Sequence, residues 1–437
     1  MTGVRINVWA KPEPKSTVTS GSRISLAGVA VIQDRSAHRL QKAVWTLILT
    51  IAVAFLGVGI FTSFSHFRNP RIARAWSESR PATLEFPSFT VCHMYGVKKS
   101  VVLNMTRPNT TFEDWRMRGL ELLRWEEFNL DQLINDASYS WEEMVSGCRL
   151  AHHRCADVGT ISPVVTDRYG LCHTFTPAIS VPHTFLEPHL ILHLAESDPT
   201  LMSSEHQGWM VALHSRNLRF SLTAAYLGLT TVLELTRGSH TDVVLRKERN
   251  TRLNIPEAPC SGIDTPQDQV VLCHERCLNQ LSLSGRNASA PTCRLPWMAE
   301  TLNATACTSH EEFMASTLGA RRLFNSSVSE YSMLQALDRC RQCPTSCQTD
   351  AYVHDNPTRV VLDISPYKVR YMKHFEDGIH TLITMRMRHG EQHIQEVFDY
   401  TLSTLVSDIG GYAGLLVGGS LLTLVEILEY AILRKCR

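Results

Sequence analysis

The chain has 437 residues, with 43 lysines and arginines against 42 aspartates and glutamates, and a formal net charge of +1. Because a near-neutral chain lacks the basic excess of nucleic-acid-binding proteins, we expect no nucleic-acid partner. The sequence has no phosphate-cradling glycine loop and no nucleophile motif, so we do not expect an enzyme.

An apolar run without a charged residue occupies positions 43–64. Its 22 residues are enough for a helix to cross a hydrocarbon core about 30 Å thick. The run is longer than the apolar part of a cleaved signal peptide, and it follows 42 mostly polar residues. Those residues carry seven lysines and arginines against two acidic residues, which favours the cytosolic side. The sequence therefore predicts a cytosolic region over 1–42 and a transmembrane helix over 43–64.

The region from 65 to 400 contains the next predicted elements. Residues 86–92 are prone to form a strand, and residues 112–134 have apolar side chains at helical spacing. The remaining predictions are a hairpin over 231–235 and 243–245, a helix over 328–339, and strands over 359–364, 380–388 and 394–400. The last strand leads directly into a second apolar run, so motion of this region would pull on that run.

Cysteine usage indicates an oxidising compartment for the same region. Twelve of the 13 cysteines lie between Cys92 and Cys347, an even number that allows up to six disulfides. A zinc site is the alternative for Cys340 and Cys343 with Cys273 and Cys277. Five glycosylation sequons fall in the same stretch, at Asn104, Asn109, Asn287, Asn303 and Asn325. We therefore expect residues 65–400 to form one extracellular domain.

The second apolar run, over 401–433, contains residues that lipid alone would not tolerate. A charged side chain at the bilayer centre costs about 3 kcal/mol on insertion scales, so Asp408 and Glu426 are expected to face water. Five glycines in the run let backbone approach backbone or an ion. The basic residues of the tail over 434–437 favour a cytosolic end. The sequence therefore predicts a second transmembrane helix that lines an ion path.

Two alternatives remain open for this run. Gly410, Gly414 and Gly418 recur every fourth residue, which is also the spacing of a helix-packing face. Glu426 and Glu429 could instead extend from the end of the helix toward the interfacial water.

The sequence resembles a known family at several motifs. Phe86-Pro87 is followed by Thr90 and Cys92 shortly after the first apolar run, and Tyr169-Gly170 is followed by Cys172 and Phe175. A late cysteine cluster and three motifs of the second run complete the pattern: Ser407-Asp408-Ile409-Gly410-Gly411, Gly418-Gly419-Ser420 and a Leu-x-x-x-Glu ending at Glu426. Over residues 25–433 the chain is similar to the epithelial sodium channel, degenerin and acid-sensing ion channel superfamily.

The resemblance implies a membrane α+β fold. Two transmembrane helices would flank a large disulfide-rich extracellular domain, with a β-sheet palm, a β-ball, and a helical finger, thumb and knuckle. Three subunits would surround one pore, as a homotrimer or as a heterotrimer with related subunits. The protein would be a sodium-preferring, amiloride-sensitive channel of the plasma membrane, opened by an unknown extracellular ligand (a peptide or protons) or constitutively active. Na⁺ would be the transported ion, and neither a cofactor nor a metal centre is expected.

The resemblance also implies roles for single residues. Gly418, Gly419 and Ser420 would form the selectivity filter, where the helix must unwind to offer carbonyl oxygens to a cation. Asp408, Gly411, Gly414 and Glu426 would line the pore, and Gly414 matches the amiloride-contact position. Ser407 matches the position where degenerins need a small side chain. Gly28 would take part in gating from the cytosolic side.

The family pattern implies six disulfides: Cys92–Cys172, Cys148–Cys155, Cys260–Cys347, Cys273–Cys343, Cys277–Cys340 and Cys293–Cys307. The chain departs from the family elsewhere. Ala27 stands where most relatives have a histidine before Gly28, and Glu257 stands where they have a tryptophan. The stretch 214–218 lacks the carboxylates of acid-sensing relatives, so proton gating by the usual route is not supported.

Histidines keep pH sensitivity open, because 18 of the 19 lie in the predicted extracellular domain. They include His152, His153, His189, His193, His389 and His393. We therefore expect modest modulation by pH. The competing function is a two-pass lipid or ligand receptor of the scavenger type, which shares the glycosylated ectodomain and cytosolic ends. That class has no use for a second membrane segment rich in glycine and carboxylates.

Overall fold

The computed structural model describes residues 32, 38–94, 97–182, 188–195, 208–261, 266–284, 293–298, 303–316, 337–354, 358–361 and 380–418. The chain divides into two compact units. The first comprises Met1–Ala73 with Val397–Arg437, and the second is Arg74–Glu396.

The first unit contains two packed helices, α1 over Arg39–Arg68 and α9 over Leu402–Val417. Helix α1 includes the whole predicted run 43–64, because an uninterrupted apolar sequence has no residue that would end it. Among the residues that the structure describes, α1 is the one helix long and apolar enough to cross a membrane. Helix α9 has 16 described residues, and positions 419–433 of the predicted second span lie outside the described residues.

The second unit consists mainly of strands with short helices at the periphery. The strands are β1 Ile72–Ser79 (its first two residues in the first unit), β2 Thr83–Glu85, β3 Ser88–His93, β4 Val145–Leu150, β5 His153–Arg154, β6 Gly159–Thr166, β7 Gly170–Pro177, β8 Ser180–Pro182, β9 Leu190–Ala195, β10 Gly208–His214, β11 Thr230–Thr236, β12 Ser239–Thr251, β13 Cys260–Ser261, β14 Thr345–Ser346, β15 Gln348–His354, β16 Thr358–Val361 and β17 His380–Phe398. The labelled helices are α2 Lys99–Met105, α3 Phe112–Arg118, α4 Leu130–Ala137, α5 Trp141–Met144, α6 Cys155–Val158, α7 Leu222–Tyr226 and α8 Gln267–Ser284, with 3-10 turns at Gly119–Leu122 and Pro296–Met298.

Two sheets organise the described part of this unit. The larger has eight strands, in the order β15-β12-β17-β9-β4-β5, with β1 beside β17 and β16 beside β12. The smaller has five strands, in the order β11-β10-β3-β7-β6. Strands β12 and β17 run parallel at the centre of the larger sheet, and the other registered pairs of that sheet are antiparallel.

The main hydrophobic core combines side chains from both sheets. Phe89, Phe175 and Trp209 of the smaller sheet are fully buried, as are Leu192 and Ile383 of the larger sheet. A second core lies among α2, α3, α4 and the Cys293–Cys307 disulfide. The mixed α/β, disulfide-rich architecture agrees with the class predicted from the sequence.

Three sequence predictions need correction. The single helix over 112–134 is wrong, because Gly119 has a positive φ of 58° and capping boxes at Thr111 and Asn129 start two separate helices. The hairpin is wrong as well, since β11 pairs with β10 in the smaller sheet whereas β12 belongs to the larger sheet. The strands predicted over 380–388 and 394–400 are one continuous strand, β17, which ends at Phe398.

The described residues include six disulfides, and they join the same six pairs that the family resemblance implies. Cys273 and Cys277 lie one turn apart on α8 and pair with Cys343 and Cys340. These four sulfur atoms are therefore not available as zinc ligands. Most of the predicted helix over 328–339 lies outside the described residues. Its described part, 337–339, is helical.

A buried ion network occupies the centre of the larger sheet. The side chain of Lys247 on β12 is 2% exposed, and its Nζ lies 2.6 Å from Glu85, 3.5 Å from Asp350 and 3.5 Å from Glu391. Burial by itself would lower the pKa of Lys247, but the neighbouring carboxylates raise it above the ordinary value. Burial opposes ionisation of Asp350 too, yet Arg249 and Lys247 hold its pKa below the ordinary value. Lys247 and Asp350 therefore remain ionised at neutral pH.

Gly208, at the start of β10, provides a test of the smaller sheet. A Cβ at this position would lie 1.9 Å from the carbonyl oxygen of Leu235, and φ is 151°. We expect Gly208→Ala to destabilise the protein by more than about 3 kcal/mol, because backbone rather than a flexible side chain must move.

The control is Gly228→Ala, where φ is 72° but no atom lies within 4 Å of the added Cβ. It should cost only about 1–2 kcal/mol. The measurement is the thermal unfolding midpoint of both variants in detergent. Equal midpoints would contradict the described approach of Gly208 to β11.

Candidate functional site: the helix over 402–417

The start of α9 is defined by local hydrogen bonds. Thr401 caps the helix, since its side chain accepts a hydrogen bond from the Thr404 N–H at 3.3 Å. Just before it, Asp399 is bonded to Arg71, three residues after α1 ends. The Arg71 N–H donates to Oδ1 of Asp399 at 2.8 Å, and the Asp399 N–H donates to the Arg71 carbonyl at 2.9 Å. These bonds hold the chain together where it leaves α1 and enters α9.

One face of α9 packs on α1. Leu405 is 7% exposed, and Tyr412 lies two turns further along the same face. The ring of Tyr412 lies against Gly59 of α1, where an added Cβ would be 3.0 Å from the ring. On α1, Ser63 is buried as well. The absence of a side chain at Gly59 therefore lets the aromatic ring sit close to the backbone of α1.

The opposite face of α9 carries only small residues. Successive residues of a helix are rotated by about 100°, so Ser407, Gly410, Gly411 and Gly414 cluster on the side turned away from Leu405 and Tyr412. All four are exposed within one chain. A Cβ added at Gly410 or at Gly411 would meet no atom within 4 Å. We call Ser407, Gly410, Gly411 and Gly414 the small-residue face.

Large apolar side chains flank this face. Val406 is 64% exposed and Leu415 is 86% exposed, one on each side. Helix α1 also exposes most of its apolar residues, among them Phe55 and Phe61. Exposed aliphatic and aromatic surface on two packed helices suits contact with lipid rather than water.

Asp408 lies on the flank of α9 that is nearer to α1. Its carboxylate accepts a hydrogen bond from the Tyr400 hydroxyl. The side chain is half-buried rather than fully exposed. The structure thus places Asp408 next to Ser407 in the chain but about a quarter turn away from the centre of the small-residue face.

Helix α9 ends at the first residue of the predicted filter. Gly418 has left-handed dihedral angles, with φ of 66° and ψ of 22°. Its N–H donates to the carbonyl oxygens of Ala413 and Gly414. This cap suits glycine, because other residues pay a steric cost in the left-handed region. The described part of α9 therefore ends at Gly418, and the predicted unwinding over 418–420 stays a prediction.

The remaining predicted site residues lie partly inside and partly outside the described residues. Gly28, Gly419, Ser420 and Glu426 lie outside the described residues. The same is true of two sequon asparagines, Asn287 and Asn325, whereas Asn104, Asn109 and Asn303 are exposed on the second unit.

Sequence reasoning missed Tyr400, Tyr412 and Gly59. A usable signal existed, because Gly57 and Gly59 are the two glycines of the apolar run on α1. Small residues that let helices approach closely are common at the interfaces between membrane helices. Which of the two glycines meets an aromatic ring depends on the rotation of α1. That rotation is a property of the packed pair rather than of either sequence segment.

Several histidines named in the sequence are held in fixed hydrogen bonds. Nδ1 of His189 accepts the Met387 N–H at 3.0 Å and Nε2 donates to the Pro182 carbonyl at 2.9 Å, which describes a neutral ring. His393 lies 2.9 Å from the Ser79 hydroxyl. His152 and His153 are exposed, and nothing is described of the His389 side chain.

His214, which the sequence did not single out as a titrating group, is fully buried. Its Nδ1 donates to the Ser215 carbonyl at 3.0 Å, so Nε2 accepts from the Thr90 hydroxyl at 3.0 Å. Burial lowers the pKa of His214 to about 4, although the bonds to neighbouring carbonyls act in the opposite direction. The ring is therefore neutral in the folded protein at neutral pH.

Comparison with known sequences identifies the family. A sequence profile described as amiloride-sensitive sodium channel matches residues 21–430. The match covers α1, the second unit, α9 and the predicted filter. The chain belongs to the amiloride-sensitive sodium channel family. The resemblance stated from the motifs is thereby confirmed, and the family is one of membrane ion channels and not of enzymes.

Relatives include acid-sensing ion channel 4 of Rattus norvegicus, 25% identical over 461 residues, covering 95% of this chain and 79% of the relative. Acid-sensing ion channel 1B of Danio rerio is 19% identical over 454 residues, covering 95% of this chain and 76% of the relative. Among solved structures, a proton-activated chloride channel determined by cryo-EM covers 90% of this chain and 97% of its own at 7% identity and a TM-score of 0.33. That structural similarity is too low to carry an argument.

Gly59 provides the test of the packing between α1 and α9. We expect Gly59→Val to lower the thermal unfolding midpoint and the surface expression of the channel, because its side chain would overlap the Tyr412 ring. Gly57→Val is the matched control, since no atom lies within 4 Å of its added Cβ. Tyr412→Ala should partly rescue Gly59→Val. An equal loss in both glycine variants would contradict the described helix rotation.

His214 predicts an acid-dependent loss of stability. An unfolded histidine has a pKa near ~6.5, so between that pH and about 4 the unfolded chain binds the proton more readily than the folded one. Stability from His214 is therefore present above pH ~6.5 and falls, at up to ~1.4 kcal/mol per pH unit, until the pH reaches about 4.

The thermal unfolding midpoint of the detergent-solubilised chain, measured at several pH values in this window, checks the prediction. His214→Gln should be less stable at pH 7 and should lose less stability on acidification. His153→Gln, at an exposed position, should retain the parental pH dependence. A parental slope in His214→Gln would disprove the assignment.

Proposed function

We propose that three copies of this chain, or this chain with related subunits, form a sodium-preferring cation channel of the plasma membrane. Both termini would lie in the cytosol. Residues 43–64 of α1 and the segment 401–433 would cross the bilayer, with residues 65–400 outside. The observation that carries the proposal is the small-residue face of α9, which lies opposite the contact with α1 and ends at left-handed Gly418. Membership of the family supports the channel class.

The small-residue face suits a pore axis. A helix in lipid normally exposes large apolar side chains, as α9 does at Val406 and Leu415. A strip of serine and glycine between them gains little from lipid but permits close approach of neighbouring helices or access of water. With α1 covering one side of α9, three copies would turn their small-residue faces toward a common axis.

The left-handed cap at Gly418 supports a filter over Gly418, Gly419 and Ser420. A cation needs carbonyl oxygens that are not engaged in helical hydrogen bonds, and such backbone is tolerated at membrane depth only beside water. Two successive glycines lower the cost of the required dihedral angles, and the Ser420 hydroxyl would satisfy a freed backbone group or face the ion.

Carboxylates would set the charge selectivity. Asp408 at the outer end and Glu426 on the cytosolic side would each contribute three charges in a trimer, which raises the local concentration of cations and repels anions. The hydrogen bond from Tyr400 orients the Asp408 carboxylate before an ion arrives. Gly411 and Gly414 would line the path between them, with Gly414 at the amiloride contact.

Gating would act through Ser407 and, on the cytosolic side, Gly28. The opening stimulus would be an extracellular peptide, protons or none, with modest modulation by pH through the histidines of the ectodomain. Relatives are named acid-sensing ion channels, but the 214–218 stretch here carries buried neutral His214 in place of clustered carboxylates. We therefore do not assign proton gating by the usual family route.

The test is expression of this chain in oocytes. We expect an amiloride-blocked, sodium-dependent current, and we expect Ser407→Trp to raise the current severalfold because a bulky side chain on the small-residue face prevents closure. Val406→Trp is the matched control, one residue away but about 100° around the helix on the flank. It should leave the current near the parental level.

Silence of the parental chain combined with current in Ser407→Trp would indicate a requirement for partner subunits or for a stimulus. Silence of both variants at normal surface expression, with and without related subunits, would count against a channel. Equal effects of the two tryptophans would count against the assigned face.

A further inference from the structure

A cavity of about 390 Å³ lies within the second unit, between one end of the larger sheet and the first half of α8. Strands β12, β15 and β17 form one wall, and α8 with the loop that follows α7 forms the other. Its volume falls in the range of small-molecule sites, about 300–1,000 Å³. None of its lining residues belongs to the pore segment or to the Lys247 network.

Two guanidinium groups line the cavity. Arg74 is on β1 and Arg252 directly follows β12, and both are exposed. Among the described residues neither has an ion-pair partner. By contrast, Arg249 near the end of β12 pairs with Asp350 of β15 at 2.8 Å. An arginine fork matches the geometry of a carboxylate, and the bond is strong when the site is partly shielded from water.

Two hydrogen-bond acceptors line the same cavity. His274 on α8 is 6% exposed, and its Nδ1 lies 2.9 Å from the Val270 carbonyl oxygen. Because a carbonyl can only accept, Nδ1 carries the proton, and Nε2 of the neutral ring is an acceptor. Glu396 on β17 accepts the Leu253 N–H at 3.2 Å through one carboxylate oxygen. Its second oxygen has no described partner and provides a negative charge.

The remaining wall is partly apolar. Leu229 and Val270 are buried, and Ile394 is half-buried beside Glu396 on β17. An apolar body would exclude water from this surface, at about 25 cal/mol per Å² of apolar area covered. The cavity thus combines paired cations, paired acceptors and an apolar surface.

We propose that this cavity binds a small zwitterion that carries a carboxylate, an ammonium group and an apolar side chain, such as an amino acid or a dipeptide. The carboxylate pairs with Arg252 and Arg74, and the ammonium group donates to Glu396 and to Nε2 of His274. Leu229, Val270 and Ile394 cover the apolar side chain. The ligand bridges α8 and the sheet. This assignment goes beyond ion conduction and does not depend on it.

The test measures binding of L-phenylalanine and of L-leucyl-L-phenylalanine to the full chain in detergent, by saturation-transfer NMR and by the shift in thermal unfolding midpoint. We expect at least one of them to bind. For L-phenylalanine, the matched probes are L-phenylalaninamide, which lacks the carboxylate, and 3-phenylpropanoate, which lacks the amine. Each should bind at least about tenfold more weakly, since each leaves charged hydrogen bonds unmade.

Variants locate the site. Arg252→Gln should weaken binding about tenfold, and so should Glu396→Gln, whose amide oxygen still accepts the Leu253 N–H and preserves the fold. Arg341→Gln is the matched control, because Arg341 is 79% exposed and pairs with Asp338 away from the cavity. An unchanged unfolding midpoint without ligand establishes that each variant is folded.

Failure of both zwitterions to bind would overturn the proposal, as would equal binding of L-phenylalaninamide or unchanged affinity in both cavity variants. Loss of affinity in Arg341→Gln equal to that in Arg252→Gln would overturn the location. Because the readout is binding to the purified chain, a failure here is distinct from a failure to conduct.

Discussion

Burial of Lys247 is the constraint on which the second unit depends. An ammonium group with 2% of its side chain exposed is tolerated only when charges of opposite sign surround it. The three carboxylates that do so come from β2, β15 and β17, so one cation requires three separate chain segments to meet. Removing one member of a buried ion pair typically costs about 3–5 kcal/mol, which makes any other register of β12 unfavourable.

Two strands of the larger sheet are continuous in the chain with the helices of the first unit. Strand β1 follows α1 in the chain, and β17 precedes α9. The two strands pair with each other, and β17 pairs in parallel with β12, the strand that carries Lys247. The hydrogen bonds between Arg71 and Asp399 connect the chain at the same entry point within the first unit.

Helix α9 illustrates how one sequence serves three environments. Leu405 and Tyr412 face another helix, Val406 and Leu415 present apolar surface, and the small-residue face has no partner within the described chain. Helical periodicity alone separates these groups, because about 100° of rotation per residue places them on different sides. The requirement for Gly59 opposite Tyr412, by contrast, arises only when two helices are packed.

Sequence reasoning succeeded where an uninterrupted apolar run decides the outcome, and it failed at one local break and where distant segments compete for the same strand. The apolar run within α1 needs no partner to be helical. The sequence predicts the turn between β11 and β12, but the predicted hairpin between these strands is wrong. Strand β11 pairs with β10 and strand β12 pairs with β17. The predicted helix over 112–134 is wrong for a local reason that the apolar spacing does not reveal. Gly119 has a positive φ, and Asn129 caps a new helix.

By itself, the amino-acid sequence determined the apolar run of α1, the cysteine content and, through its motifs, the family. These follow from backbone chemistry and from residue types that act where they stand. Only the tertiary structure decided that Lys247 is buried among three carboxylates, that the small-residue face lies opposite α1, and that Arg74, Arg252, His274 and Glu396 border one cavity. Each of these depends on segments separated by tens to hundreds of residues, and such proximity is produced by packing the whole chain.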